Sequence, residues 1–222
     1  MTLKSHTEYV SAPVLIPAGG VELRGDLAMP EHAKGLIVFA HGSGSSRLSP
    51  RNQFVARSLY DAGLATLLID LLAPEEEQID RVSGHLRFNI DLLAGRLVHI
   101  IDWLIVNKDT QGLKVGLFGA STGAAAAIVA AARRDKFVST VVSRGGRPDL
   151  AGRALFELEV PTLFIVGGAD HEVLALNKKA QSQMTCVNKI AVIPGATHLF
   201  EEPGALEEVT VFARDWFAKH LC

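Results

Sequence analysis

Cysteine is scarce in this chain: among 222 residues there are two, Cys186 and Cys222. Two thiols so far apart exclude a disulfide framework and a cysteine-based metal cluster, and they are consistent with a reducing compartment. We interpret both as incidental thiols and predict no metal site.

The chain also lacks a large excess of charge of either sign, and it lacks long apolar runs. The formal net charge is −2 and the basic residues are scattered, so nothing favours nucleic acid or an anionic membrane as a partner. No apolar run reaches the roughly 20 residues of a membrane span, and the N-terminus lacks the apolar core of a signal peptide. We expect a cytoplasmic protein that acts on a small molecule, and the sequence indicates no oligomeric state.

The length and organisation of the chain predict a single domain over residues 1–222. Hydrophobic residues make up 48% of the sequence, which is enough for one large core. No internal repeat and no low-complexity linker divides the chain.

The apolar pattern predicts an open α/β sheet. Residues 8–17 and 21–28, separated by Gly19-Gly20, are typical of an antiparallel hairpin. Further along, apolar runs typical of strands buried on both faces alternate with segments of helical periodicity. These strands are predicted at 35–40, 65–70, 113–118, 139–143, 161–166 and 189–193, and the helices at 50–62, 84–107, 122–133, 173–184 and 204–221. The alternation predicts a mostly parallel, doubly wound sheet whose ligand site lies beyond the carboxyl ends of its strands.

The segment LFGASTG, residues 117–123, carries the most informative motif. Gly119 and Gly123 flank Ser121 in the pattern G-x-S-x-G, at the junction of a predicted strand and a predicted helix. A serine at such a sharp turn stands exposed above the sheet, and its close neighbours must be small. We predict that Ser121 is a nucleophile and that the N–H of Thr122 helps to bind the oxyanion formed by its attack. The alternative is a tightly packed or phosphate-binding turn.

A nucleophilic serine needs a base and an orienting acid, and both are expected after it in the chain. Asp170 and His198 each follow a predicted strand, and we assign them as acid and base. The alternatives are His171, His220, Asp149 and Asp70. His171 is a weak candidate because it adjoins Asp170, and Asp149 is better interpreted as a helix N-cap.

The segment HGSG, residues 41–44, follows an early strand and supplies the second oxyanion donor. We predict that this donor is the backbone N–H of Ser43, with Gly44 as the alternative. His41 is expected to hold the loop by hydrogen bonding.

Several charged residues are candidates for substrate contact or for simple solvation. Arg144 and Arg147 follow a predicted strand, where a guanidinium could bind an acidic substrate group or form salt bridges to nearby loops. Arg47 and Arg51 have the same two interpretations. Gly44 is a further candidate for substrate contact. The acidic run at 74–80 is expected to be a solvated loop.

Four motifs occur along the chain in this order: a strand followed by an HGSG loop, GASTG, VGGADHEV and PGATHLF. In these motifs the chain resembles the α/β-hydrolase superfamily, and within it small dienelactone-hydrolase-like proteins. The resemblance extends from about residue 20 to the end. It implies an eight-stranded, mostly parallel sheet with an antiparallel second strand and helices on both faces, no large lid domain, and a Ser-Asp-His triad that hydrolyses esters or similar acyl compounds without a cofactor. Dienelactone hydrolases carry cysteine where this chain has Ser121, so the dienelactone substrate is not carried over.

Two hypotheses follow from these residues. The first is a serine hydrolase that acts on small acyl substrates, with peptidase and acyltransferase activity as variants of the same chemistry. The second is a non-catalytic binding or regulatory module that retains the fold.

Overall fold

The computed structural model describes residues 9–221, and an eight-stranded sheet lies at their centre. Its strands are β1 Ser11–Ala18, β2 Val21–Ala28, β3 Leu36–Ala40, β4 Ala65–Ile69, β5 Val115–Ala120, β6 Val138–Arg144, β7 Thr162–Gly167 and β8 Asn188–Ile193. The predicted hairpin and all six predicted apolar strands are confirmed, with ends shifted by at most three residues. Residue 8 of the predicted first strand and Cys222 lie outside the described residues.

The strand order is β1-β2-β4-β3-β5-β6-β7-β8. Strand β2 pairs antiparallel with both β1 and β4, whereas every pair from β4 to β8 is parallel. The sheet is therefore mostly parallel with an antiparallel second strand, as predicted. The carboxyl ends of the parallel strands lie at one edge of the sheet, where the candidate residues were expected to meet.

The helices of the chain cover both faces of this sheet. They are α1 Pro50–Asp61, α2 Pro74–Ser83, α3 Ile90–Val106, α4 Thr122–Arg133, α5 Ala154–Glu157, α6 His171–Gln181 and α7 Ala205–Leu221, with short 3₁₀ helices at Leu86–Phe88 and Pro148–Ala151. Alternate residues of β3 face opposite cores: Val38 packs with α3 and α4, and Phe39 packs with α1 and α7. Burial on both faces explains why the central strands are apolar throughout. No helix within residues 9–221 is long and apolar enough to cross a bilayer.

The region around residues 74–107 differs from the prediction. The acidic run at 74–80 is not a solvated loop but the first part of α2, and the helix predicted over 84–107 is a 3₁₀ turn followed by α3. Helix α2 begins at Pro74, and the N–H of Ala73 donates to Glu76 over 2.9 Å in a capping interaction. Asn89 separates the two later elements because its side chain accepts from the N–H of Leu92 at the start of α3.

Polar contacts hold α2 in place, which explains why its apolar pattern was uninformative. Its one buried residue is Asp80, whose carboxylate accepts from the N–H of Leu86 at 2.7 Å and from Nε of Arg87 at 2.5 Å. At its first turn, Glu76 pairs with Nη2 of Arg96 at 2.6 Å. Such contacts join residues of separate elements, six to twenty positions apart in the sequence, and leave no periodic signal.

Candidate active site

Ser121 lies between β5 and α4 in a strained backbone conformation. Its φ is +50° and its ψ is −120°, a region that L-residues other than glycine rarely adopt. Such a conformation costs about 1–3 kcal/mol and persists only where the surroundings enforce it. The turn has the geometry that the G-x-S-x-G pattern predicted.

Close backbone packing around Ser121 requires both flanking glycines. A β-carbon on Gly119 would lie 2.4 Å from Cα of Ala124, and one on Gly123 would lie 2.3 Å from the carbonyl oxygen of Ala40. Neither position has room for a side chain. A β-carbon on Gly42 would similarly lie 2.9 Å from that of Ser121, so the loop after β3 runs directly beside the serine.

Asp170 and His198, which lie after β7 and β8, form a hydrogen bond. Nδ1 of His198 donates to Oδ2 of Asp170 over 2.7 Å, because a carboxylate can only accept. Asp170 precedes α6 but makes no side-chain capping bond, so its carboxylate is free to orient the imidazole. The Asp170 side chain is 14% exposed and that of His198 is 40% exposed, which leaves the ring accessible.

The segment after β6 lies next to both Ser121 and His198. The N–H of Ser121 donates to the carbonyl of Arg144 at 3.3 Å, and the N–H of Arg147 donates to the carbonyl of Ser121 at 3.1 Å. A β-carbon on the intervening Gly145 would lie 3.6 Å from Cε1 of His198. The predicted nucleophile, base and acid are therefore brought to one end of the sheet.

The alternative candidates are engaged elsewhere or exposed. The carboxylate of Asp70 binds Arg47, and that of Asp149 binds Arg147. The prediction that Asp149 is an N-cap was wrong, because it lies inside the 3₁₀ helix and its side chain pairs with the residue that precedes the helix. His171 is an exposed residue at the start of α6, and His220 packs on Trp216 with ring centroids 4.4 Å apart.

The loop after β3 places its amides beside Ser121. Ser43 is half-buried and directly follows Gly42, while Thr122 is the first residue of α4, where an N–H has no acceptor within the helix. His41 is buried: its Nε2 accepts from the N–H of Leu71 and its Nδ1 donates to the carbonyl of Gly42, both at 3.0 Å. Burial lowers the pKa of His41. The expected loop-holding role of His41 is confirmed in its contacts.

A polar cleft of about 600 Å³ opens beside these amides. Gly42, Ser43, Gly44 and Thr122 line one end, and α1, α2 and the turn after α2 form the walls. The charged residues of the lining are Arg51, Glu77, Asp80, Arg81 and Arg87. Such a lining suits a polar ligand better than a long hydrocarbon chain, because burying charges against hydrocarbon is costly.

The predicted substrate contacts differ in their surroundings. Arg147 is occupied by Asp149, with Nε to Oδ1 at 2.9 Å and Nη2 to Oδ2 at 2.8 Å, and this pairing raises its pKa. Arg144 is 8% exposed, and its Nη1 is buried without a hydrogen-bond partner among residues 9–221. Burial, and then the charge of Arg51, lower the pKa of Arg144 to about 10, so it stays cationic at neutral pH. Gly44 lines the cleft and is exposed.

Two parts of the site were missed in the sequence. The first is the wall formed by α2 and Arg87, whose contacts link residues across the 3₁₀ turn. The second is the identity of the partners of Arg47, which pairs with Asp70 at 2.5 Å and with Asp26 at 3.1 Å. The salt-bridge interpretation is thus confirmed for Arg47, and also for Arg51, which pairs with Glu201 at 3.1 Å. Within residues 9–221, no group of three or more histidine, cysteine or acidic residues is arranged to hold a metal ion.

The chain is similar to solved hydrolases. A dienelactone hydrolase from Anabaena variabilis is 56% identical, with a TM-score of 0.95 over 97% of this chain and 100% of that structure. Est1E from Butyrivibrio proteoclasticus is 16% identical, with a TM-score of 0.78 over 93% of this chain and 98% of Est1E. At that identity the second likeness shows the fold alone.

Curated relatives are similar over part of their length. Two proteins of Mycobacterium tuberculosis, each described as a putative phosphoribosyl transferase, are 56% identical over 209 residues. The match covers 94% of this chain and 46% of each relative. The chain therefore spans about half the length of the curated relatives it matches.

The sheet topology and the solved neighbours define the molecule as an α/β hydrolase. Residues 23–218 also match the model of one family within that class. The chain belongs to the dienelactone hydrolase family, as the resemblance of its motifs predicted.

Proposed function

We propose that the protein is a serine hydrolase that cleaves an ester, lactone or related acyl bond of a small molecule. The observation that carries this proposal is the Asp170–His198 hydrogen bond of 2.7 Å, which lies at the same end of the sheet as the strained Ser121. An oriented imidazole at the same end of the sheet as a half-buried serine is the arrangement that could activate its hydroxyl.

The reaction follows from the proposed roles of these groups. Oγ of Ser121 attacks the carbonyl carbon while Nε2 of His198 takes its proton, and Asp170 holds the imidazole in the correct tautomer. The N–H groups of Ser43 and Thr122 stabilise the oxyanion of the tetrahedral intermediate. The proton then passes from His198 to the leaving alcohol. In deacylation the same histidine takes a proton from the water that attacks the acyl carbon, and returns it to Oγ of Ser121 as the acid is released.

The substrate is proposed to be polar and to carry an acidic group. Arg144 supports this proposal because its buried guanidinium has no carboxylate partner among residues 9–221. Arg147 is already paired with Asp149, so Arg144 is the stronger candidate for this contact. Gly44, on the cleft wall, is proposed to allow close approach of the substrate.

Phosphoribosyl transfer, the activity in the name of the curated relatives, is not proposed for this site. More than half of each relative lies outside the matched part, since the match covers 46% of its length. The proposed catalytic residues Ser121, Asp170 and His198 all lie within the matched family region of residues 23–218.

Steady-state hydrolysis tests the proposal. Purified protein is assayed on p-nitrophenyl esters, small lactones and p-nitroanilides, with Ser121→Ala as the matched control. We expect ester or lactone turnover that Ser121→Ala abolishes. Turnover of anilides alone would favour a peptidase, and product formed only with an added alcohol acceptor would favour an acyltransferase. A folded protein without any turnover would favour the binding module.

A further inference from the structure

The loop after β3 has no apolar side chain that anchors it in the core, because residues 43–46 are Ser-Gly-Ser-Ser and Leu48 is exposed. Its internal restraints are short turn hydrogen bonds, such as that from the N–H of Ser49 to the carbonyl of Ser46 at 3.1 Å. Gly44 has a φ of +69°, and as a glycine it has no side chain that could hold the loop. A donor that must be aimed to within a fraction of an ångström therefore needs support from outside the loop.

Asp70 and Leu71, at the end of β4, provide two fixed points. Oδ1 of Asp70 accepts from the backbone N–H of Arg47 at 2.7 Å, and Oδ2 accepts from Nη1 of the same residue at 2.5 Å. Nε of Arg47 also donates to Asp26 on β2 at 3.1 Å. Arg47 is thus held by its main chain and its side chain together, and its guanidinium spans two neighbouring strands.

The second fixed point acts on the loop through His41. The N–H of Leu71 donates to Nε2 of His41 at 3.0 Å, so the proton of the neutral ring lies on Nδ1. That Nδ1–H donates to the carbonyl of Gly42 at 3.0 Å, which also accepts from the N–H of Ser45 at 3.2 Å. The carbonyl of Gly42 therefore has two donors that set its direction.

The Gly42 carbonyl and the Ser43 N–H belong to one peptide unit. A trans peptide is planar, so its N–H points opposite to its C=O. Fixing the carbonyl towards His41 and Ser45 consequently fixes the N–H of Ser43 in the other direction. Gly42 itself packs against Ser121, since a β-carbon on it would lie 2.9 Å from that of the serine.

We propose that Arg47, Asp70 and His41 are positioning residues that hold the Gly42–Ser43 peptide in the orientation needed to stabilise the oxyanion. The inference rests on the proposed hydrolase function. It assigns Asp70 a role that does not involve the proposed base, His198. The Arg47–Asp70 ion pair suits this task because two hydrogen bonds to a charged group tolerate little change in geometry. Burial opposes the charge of Arg47, but Asp70 and then Asp26 raise its pKa, so the guanidinium stays ionised.

The variants Asp70→Asn and Arg47→Met test this role on p-nitrophenyl acetate. Arg133→Met is the control, because Arg133 forms an exposed pair with Asp91 at 2.7 Å on a different part of the surface. A second probe is a trifluoromethyl ketone, whose hemiketal oxyanion with Ser121 requires the same amides. Circular dichroism and melting temperature establish that each variant is folded.

We expect kcat to fall roughly 10–100-fold in both variants while KM changes less than about threefold, since removing a whole oxyanion donor costs about 10²–10³. The ketone inhibition constant rises by a similar factor, and Arg133→Met changes neither. Asp26→Asn weakens a single Arg47 contact and is expected to give a smaller decrease in kcat. It replaces the stronger variants in this test if they do not fold. Unchanged kcat and ketone affinity in folded Asp70→Asn overturn the inference. If the wild-type protein neither hydrolyses the ester nor binds the ketone, the proposed function fails and this inference fails with it.

Discussion

Nδ1 of His198 donates a hydrogen bond to Oδ2 of Asp170 over 2.7 Å, joining the turns after β8 and β7. This bond presents Nε2 of the ring as the proton acceptor and stabilises the imidazolium that forms during attack. Both effects require a carboxylate. The side-chain amide of an asparagine is neutral, and its NH₂ group can donate to Nδ1, which would favour the other tautomer.

The first prediction concerns Asp170→Asn. We expect kcat on an ester substrate to fall by about 10²–10⁴, with a small change in KM, because substrate binding does not use the carboxylate. Asp149→Asn is the matched control, since Asp149 pairs with Arg147 instead of a histidine. Equal losses in the two variants would show that the effect is not specific to the Asp170–His198 pair.

The second prediction concerns the glycines around the elbow. Gly119→Ala and Gly123→Ala place a β-carbon 2.4 Å and 2.3 Å from backbone atoms, so each must displace main chain. We expect a large fall in melting temperature or loss of soluble protein. Gly95→Ala in α3 is the control, because no atom apart from its chain neighbours and the backbone of its own helix lies within 4 Å of the new β-carbon. Alanine there favours the helix by about 0.5–1 kcal/mol, and a destabilised Gly95→Ala would contradict this packing argument.

Much of this site was predictable because it depends on local rules. Strands buried on both faces give continuous apolar runs, and a strained strand-to-helix turn demands small residues at fixed spacing, so β5, α4 and Ser121 were predicted together. Asp170 and His198 were predicted because parallel strands end at the same edge of the sheet.

The parts that were not predicted depend on polar contacts between separate elements. Helix α2 buries a single residue, Asp80, and is held by charged partners, so its acidic sequence appeared to be a solvated loop. Likewise, the pairing of Arg47 with Asp26 and Asp70 joins three elements that no sequence spacing relates.

The third prediction concerns Arg144, whose buried charge has no acidic partner among residues 9–221. Arg144→Met should raise the free energy of unfolding by roughly 1–3 kcal/mol, because an apolar chain of similar length replaces an uncompensated buried cation. The same variant should lose its preference for p-nitrophenyl hemisuccinate over p-nitrophenyl butyrate. Urea unfolding and kcat/KM ratios measure the two effects, with Arg147→Met as the control. Lower stability together with an unchanged preference would make Arg144 a structural residue.

The fourth prediction concerns the pH dependence of stability. Burial lowers the pKa of His41 in the folded protein, so below its ordinary value of 6.5 the unfolded chain binds the proton more readily. The stability contributed by neutral His41 is therefore complete above about pH 6.5 and is lost as the pH falls towards the lowered folded value. We expect the free energy of unfolding to decrease less between pH 7.5 and pH 5.5 in His41→Gln than in the wild type. Parallel pH profiles for the two proteins would contradict the assignment of a buried, neutral His41.

The central claim is that Ser121 is an activated nucleophile, and the most direct measurement is its reaction with a fluorophosphonate at neutral pH. Intact mass and peptide mapping identify the modified residue in the wild type, Ser121→Ala and His198→Ala. The account predicts one adduct per wild-type chain, located on Ser121, no adduct in Ser121→Ala, and labelling slowed at least about 100-fold in His198→Ala. A folded wild-type protein that stays unmodified, or that carries its adduct on another residue, would contradict it.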